Sequence, residues 1–169
     1  MNKTQETYKG TPKPHPLDSV ENVLADNNWV FNRTNKDELT VEVAGSVFNY
    51  RLCFIWQDYV NALQLICQYD CDIAPERSSE AAQTVMQVNR STWMGHFELT
   101  ENKNTPCFRY MCLLHDRNGD NIYTHVEDII NICFAQCERY QNVFQLLSSE
   151  QQMNMQMLSL AMMETAGES

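Results

Sequence analysis

The chain has 169 residues, 43% hydrophobic and 20% charged, with five glycines and five prolines. That is long enough to bury a core in one domain and is neither a disordered nor a fibrous composition. A net charge of −10 and a pI near 4.7 argue against nucleic acid or anionic lipid as partners, because such binding draws on clustered Lys and Arg.

Residues 1–16 hold Lys3, Lys9 and Lys13 beside Pro12, Pro14 and Pro16 with few apolar side chains, which predicts a disordered leader. No early apolar run has the length of a signal peptide or membrane helix. With seven cysteines, an odd number, this predicts a reduced, cytoplasmic protein. The domain is expected over residues 17–149. Asp18 as N-cap with Glu21 three residues on, then Val20, Val23 and Leu24, predicts a first helix ending at Asn27 or Asn28.

From Trp29 the apolar period changes to two. Trp29 and Phe31, then Leu39, Val41 and Val43, then Phe48 to Trp56 predict three strands, the last two joined by a turn at Ala44-Gly45-Ser46. Leu63, Leu65, Cys67, Tyr69, Cys71 and Ile73 keep the alternation. This favours a strand over the helix that could be drawn through Tyr59, Ala62, Leu63, Ile66 and Cys67.

Pro75 is expected to open a second helix with Ala81, Ala82, Val85 and Val88 or Asn89 inward, ending by Trp93. Gly95 would supply the turn into strands at Met94–Thr100 and Cys107–His115, followed by turn residues Asp116-Arg117-Asn118-Gly119-Asp120. A capping box at Thr124 and Glu127 predicts the start of a third helix with a seam of Val126, Ile130, Cys133, Cys137, Tyr140, Phe144 and Leu147. Residues 150–169 read as a Met-rich helix and tail of the same domain, with Met153, Met155, Met157, Met162 and Met163. The whole is an α+β domain, an antiparallel sheet flanked by helices in the order helix, strands, helix, strands, helix.

No chemical motif stands out. Cys67/Cys71 and Cys133/Cys137 lie on apolar faces, where free cysteine packs as a small hydrophobe, so no metal is expected there. His96-Phe97-Glu98 with Pro106-Cys107 and Cys112 imitates half of a zinc-deaminase signature but spaces the cysteines wrongly. Asp116, Asn118 and Asp120 open like a calcium loop, yet Gly119 stands at position four instead of six. His96, His115 and His125 lack a nucleophile in a recognisable setting. No catalytic residue and no cofactor are therefore expected. The methionines suit a helix laid on the domain's own core or a dimer mate, or else an adaptable partner surface.

The order of these patterns, with Asn89, Trp93-Met94-Gly95-His96-Phe97-Glu98-Leu99, Phe108-Arg109, Cys137-Glu138-Arg139-Tyr140 and the ending Glu164 to Glu168, resembles the YbjN family of bacterial sensory transduction regulators over about residues 17–169. The resemblance implies a fold similar to type III secretion chaperones, small acidic α+β proteins that dimerise and hold segments of other proteins. It implies no catalytic residues. It marks Asn89, Trp93, Gly95, His96, Phe97, Phe108 and Arg109 as family positions around a special corner, where His96 or Arg109 would bond across the strand pair. The expected function is a non-enzymatic, chaperone-like, homodimeric regulator that binds other proteins through a sheet edge, helix three or the Met-rich end. The alternative is a sensor domain for a small molecule or metal.

Overall fold

The computed structural model describes residues 14–114, 119–149 and 155–164. It begins with α1 (Pro16–Asp26), whose N-cap is His15 and not Asp18. Proline at the first helical position costs no hydrogen bond. His15 Nδ1 accepts from the Leu17 N–H at 3.3 Å, and Asp18 closes the capping box from the third helical position by accepting from the His15 N–H at 3.2 Å. The helix thus starts inside the stretch read as leader, because histidine is an uncommon cap. It stops where expected. Asn28 takes φ +57°, and the Trp29 and Asn28 amides donate to the Leu24 and Ala25 carbonyls at 2.9 Å each, a Schellman end with asparagine in the left-handed position.

Six antiparallel strands follow: β1 (Phe31–Asn35), β2 (Glu38–Ala44), β3 (Asn49–Gln57), β4 (Ala62–Tyr69), β5 (His96–Leu99) and β6 (Pro106–Leu113). Their spatial order is β1-β2-β3-β4-β6-β5. The disputed segment is a strand, and it ends at Tyr69 instead of Ile73. Trp29 falls just before β1, where its ring meets Phe134 edge-on at 5.7 Å. Trp56 is buried in β3 and donates its indole N–H to Asp58 at 3.2 Å. At Gly45 a Cβ would press on Phe48 O at 2.6 Å, so the β2–β3 turn requires glycine.

Pro75–Arg77 form a 3-10 turn that leads into α2 (Ser78–Arg90). Ala81, Val85 and Val88 face inward as expected, but Ala82 is exposed and Thr84 takes its place. Thr84 can be buried because its hydroxyl donates to the Glu80 carbonyl at 2.9 Å. Helix α3 (Gly119–Ser148) starts five residues before Thr124. The expected capping box is thus interior, since Ile122 extends the buried seam upstream and burial outweighs a local cap signal. All seven predicted seam residues, Val126 to Leu147, are buried. Of the expected turn at residues 116–120, Gly119 and Asp120 belong to α3, and the others lie outside the described residues. The last element is α4 (Met155–Glu164).

The core joins the inward rows of the sheet, including Leu52, Phe54, Leu65, Cys67 and Phe108, to α1, α2 and α3. The outward row across the sheet runs Thr40, Cys53, Ile66, Arg109, His96. No helix among the described residues is long and apolar enough to cross a membrane.

Candidate functional site

The corner where α2 turns into β5 is built on one side chain. Near the end of α2, Asn89 accepts from the Phe97 N–H at 2.7 Å and donates to the Phe97 carbonyl at 2.9 Å. Both backbone groups of a buried residue are thereby satisfied, which an apolar side chain could not do. Gly95 enters the strand at φ +73°, and a Cβ there would meet the Phe108 ring and stand 2.7 Å from the Arg109 carbonyl. Any other residue would strain the backbone and displace that ring.

Phe97 lies opposite Phe108 in register, with ring centroids 5.2 Å apart, and meets Tyr140 and Phe144 of α3 at 5.5 and 5.4 Å. On the outward face Arg109 clasps Glu98: Nε and Nη2 both donate to Oε1, Nε at 3.0 Å. Burial raises the Glu98 carboxyl, but the Arg109 hydrogen bonds and charge outweigh it and hold the group below its ordinary value. Burial, with Glu98 alongside, pushes the Cys107 thiol up to about 12. His96 sits across from Arg109, its Nε2 3.7 Å from the second Glu98 oxygen.

Asn89, Gly95, Phe97, Phe108 and Arg109 thus hold the corner in shape. Trp93 stands out from it, 96% exposed, beside Met94 at 43%. His125 lies inside α3, away from this corner in sequence, and His115 falls outside the described residues.

The two cysteine pairs assemble differently from their spacing. Cys67 of β4 meets both Cys133 and Cys137 of α3, with the three sulfurs within 4.8 Å of one another and all three residues buried. The Cys67 and Cys137 sulfurs are 3.6 Å apart. Cys71 is beyond β4 and only half-buried. Hydrogen bonding to its two neighbours, and then burial, pushes the Cys67 thiol well above its ordinary value. Burial would do the same to Cys137, but hydrogen bonding to Cys133 and Cys67 holds it below its ordinary value. The nearby Tyr69 hydroxyl donates to the Cys137 carbonyl at 2.7 Å.

The Met-rich end is only partly described. Met153 lies outside the described residues, and Met155 opens α4. Ala161 is buried and Met162 packs against the core, whereas Met157, Leu160 and Met163 are 37%, 62% and 68% exposed. Residues three apart share a helix face, so these three form one outward apolar stripe.

The family model for YbjN, described as "Putative bacterial sensory transduction regulator", matches residues 16–146. The chain belongs to the YbjN family. Among solved structures it is similar to YbjN from E. coli, described as "a putative transcription regulator", with 10% identity, a TM-score of 0.47 and coverage of 74% of this chain and 93% of that one. Among curated proteins none matches the chain in sequence. The YbjN match runs from α1 almost to the end of α3. It stops before α4 and before the Glu164 to Glu168 ending on which the sequence resemblance also drew.

Within the YbjN frame three features escaped the sequence. Arg77 donates to the carbonyls of Leu146, Leu147 and Ser149 at 3.0, 2.6 and 2.8 Å while its Nε holds Glu80 at 2.8 Å. It therefore caps α3 from the far side of the chain. Arg33 binds Asp18 and Glu21 at 2.9 Å each, and its Nη2 lies 3.2 Å from His15 Nδ1. That nitrogen accepts, so the proton of His15 is on Nε2, facing Asp37 at 3.2 Å. Finally, a polar cleft of about 820 Å³ at one end of the sheet is lined by Glu42, Arg51, Asp70, Asp72 and Lys103 among others. The only sequence signal for these contacts is a charged residue beside a turn, which names no partner.

Proposed function

We propose that this YbjN-family protein is a non-enzymatic regulator of the bacterial cytoplasm that binds other proteins, in the manner of a secretion chaperone, and works as a homodimer. The observation that carries the reading is the outward stripe of Met157, Leu160 and Met163 on α4, a helix whose other face is already packed. Apolar side chains left exposed in a row, two of them methionines, suit a surface that adapts to a partner's sequence. The net charge of −10 supports a protein partner over a nucleic acid.

The test is affinity capture of a tagged copy from its native host, with the bound proteins identified by mass spectrometry against a tag-only control. The reading expects stoichiometric partners that are lost when Met157, Leu160 and Met163 are all changed to Gln. Capture unchanged in that variant would acquit α4. Sedimentation at micromolar concentration tests the dimer, and a strict monomer would remove the chaperone analogy.

A further inference from the structure

We infer that Cys67, Cys133 and Cys137 form a three-sulfur site for a trivalent, thiophilic metalloid such as arsenite, held between β4 and α3. The inference is independent of partner binding by α4. Its first ground is geometric. Thiolates about 2.3 Å from a shared ion stand about 4 Å apart in a trigonal arrangement. The Cys67 and Cys137 sulfurs are already 3.6 Å apart, and all three lie within 4.8 Å, so closing on one atom needs shifts of only a few tenths of an ångström to about 1 Å.

The second ground is the donor set. Three soft sulfurs converge from two elements, and soft ligands select soft ions. Two of them come from one helical turn pair, Cys133 and Cys137, and the third from the strand beneath, so chelation clamps α3 to the sheet.

Charge then chooses among soft ions. All three cysteines sit inside the apolar core cluster, with Leu65, Tyr69 and Phe144 among its members. Binding a divalent ion through three thiolates would leave a net negative charge in the core, and a monovalent ion a larger one; both are costly without a buried counter-charge. Arsenite enters as neutral As(OH)₃. Three arsenic–oxygen bonds break, three arsenic–sulfur bonds form, and the three thiol protons leave as three waters. Nothing is oxidised or reduced, and a neutral complex remains. Because the sulfurs are wholly covered, α3 must lift from β4 to admit the ion, so loading is slow and the loaded protein unfolds at higher temperature.

The test uses the full, reduced chain without oxygen, incubated with sodium arsenite at neutral pH and then desalted. One arsenic per chain, retained with no proton release, is the expected result. Alkylation after unfolding the loaded wild-type protein should find Cys67, Cys133 and Cys137 protected while Cys53, Cys71, Cys107 and Cys112 react. Changing any one of the three to Ala should weaken retention by more than about a hundredfold, since each sulfur adds an intramolecular contact. Cys71→Ala should leave retention unchanged. The inference is overturned if the reduced protein retains no arsenic after overnight exposure, or if protection maps to other cysteines. Tighter retention of zinc with proton release would also overturn it, by refuting the charge argument.

Discussion

Asn89 does the work of a neighbouring backbone. Its amide supplies one donor and one acceptor to Phe97, so Asn89→Ala leaves two groups of a buried residue unpaired. We expect a loss of about 2–3 kcal/mol in urea unfolding, with Asn89→Asp in between because a carboxylate keeps only the acceptor. Gly95→Ala should cost at least about 1–2 kcal/mol through its positive φ alone. Trp93→Ala should change stability by less than about 0.5 kcal/mol, since the side chain is 96% exposed. Three neighbours in sequence thus differ widely in what they hold. The sequence marks all of them as family positions but does not say which are scaffold and which are surface, because that depends on the direction of each side chain.

Among the elements, α3 is the most fully anticipated. Its seam from Val126 to Leu147 is legible because a buried stripe leaves a spacing of three and four. Its two ends are not, since one is set by burial of Ile122 and the other by Arg77, 70 residues before Leu147 in sequence. Arg77→Gln should lower stability by about 2 kcal/mol in thermal or urea unfolding, because charge-assisted bonds to the last carbonyls of α3 vanish together. Amide exchange should quicken first near residues 143–148. If exchange there is unchanged, the cap is ornamental. The start of α1 is hidden from the sequence for a similar reason: the Arg33 and Asp37 contacts that steady His15 as a cap come from β1 and the turn after it.

For the molecule as a whole, buried and half-buried thiols set a limit on the alkaline side. Cys53 is pushed up to about 11 and Cys107 to about 12, in each case first by burial, from an ordinary value of 9.0. A group whose folded pKa is raised contributes stability that is complete below its unfolded value and disappears as the pH climbs through the folded one. Urea midpoints should therefore hold steady up to about pH 9 and fall between pH 9 and 12. Replacing both residues by Ala should flatten that fall. The α+β class and the antiparallel pairing were readable from alternation, but the placement of β6 between β4 and β5 was not, because alternation fixes faces and not neighbours. That placement creates the corner, as β5 meets Arg109 only across the β5–β6 pair.

The Asn89 amide has one more consequence, for how copies of this chain meet. A border strand with free N–H and C=O groups invites another chain to extend the sheet. Strand β5 is four residues long, and at Phe97 the invitation is already taken from within the same molecule. The opposite border, β1, carries the charged Arg33 and has a register irregularity between Arg33 and Asn35, both of which blunt an edge. Growth strand upon strand is thus discouraged on both flanks of the sheet.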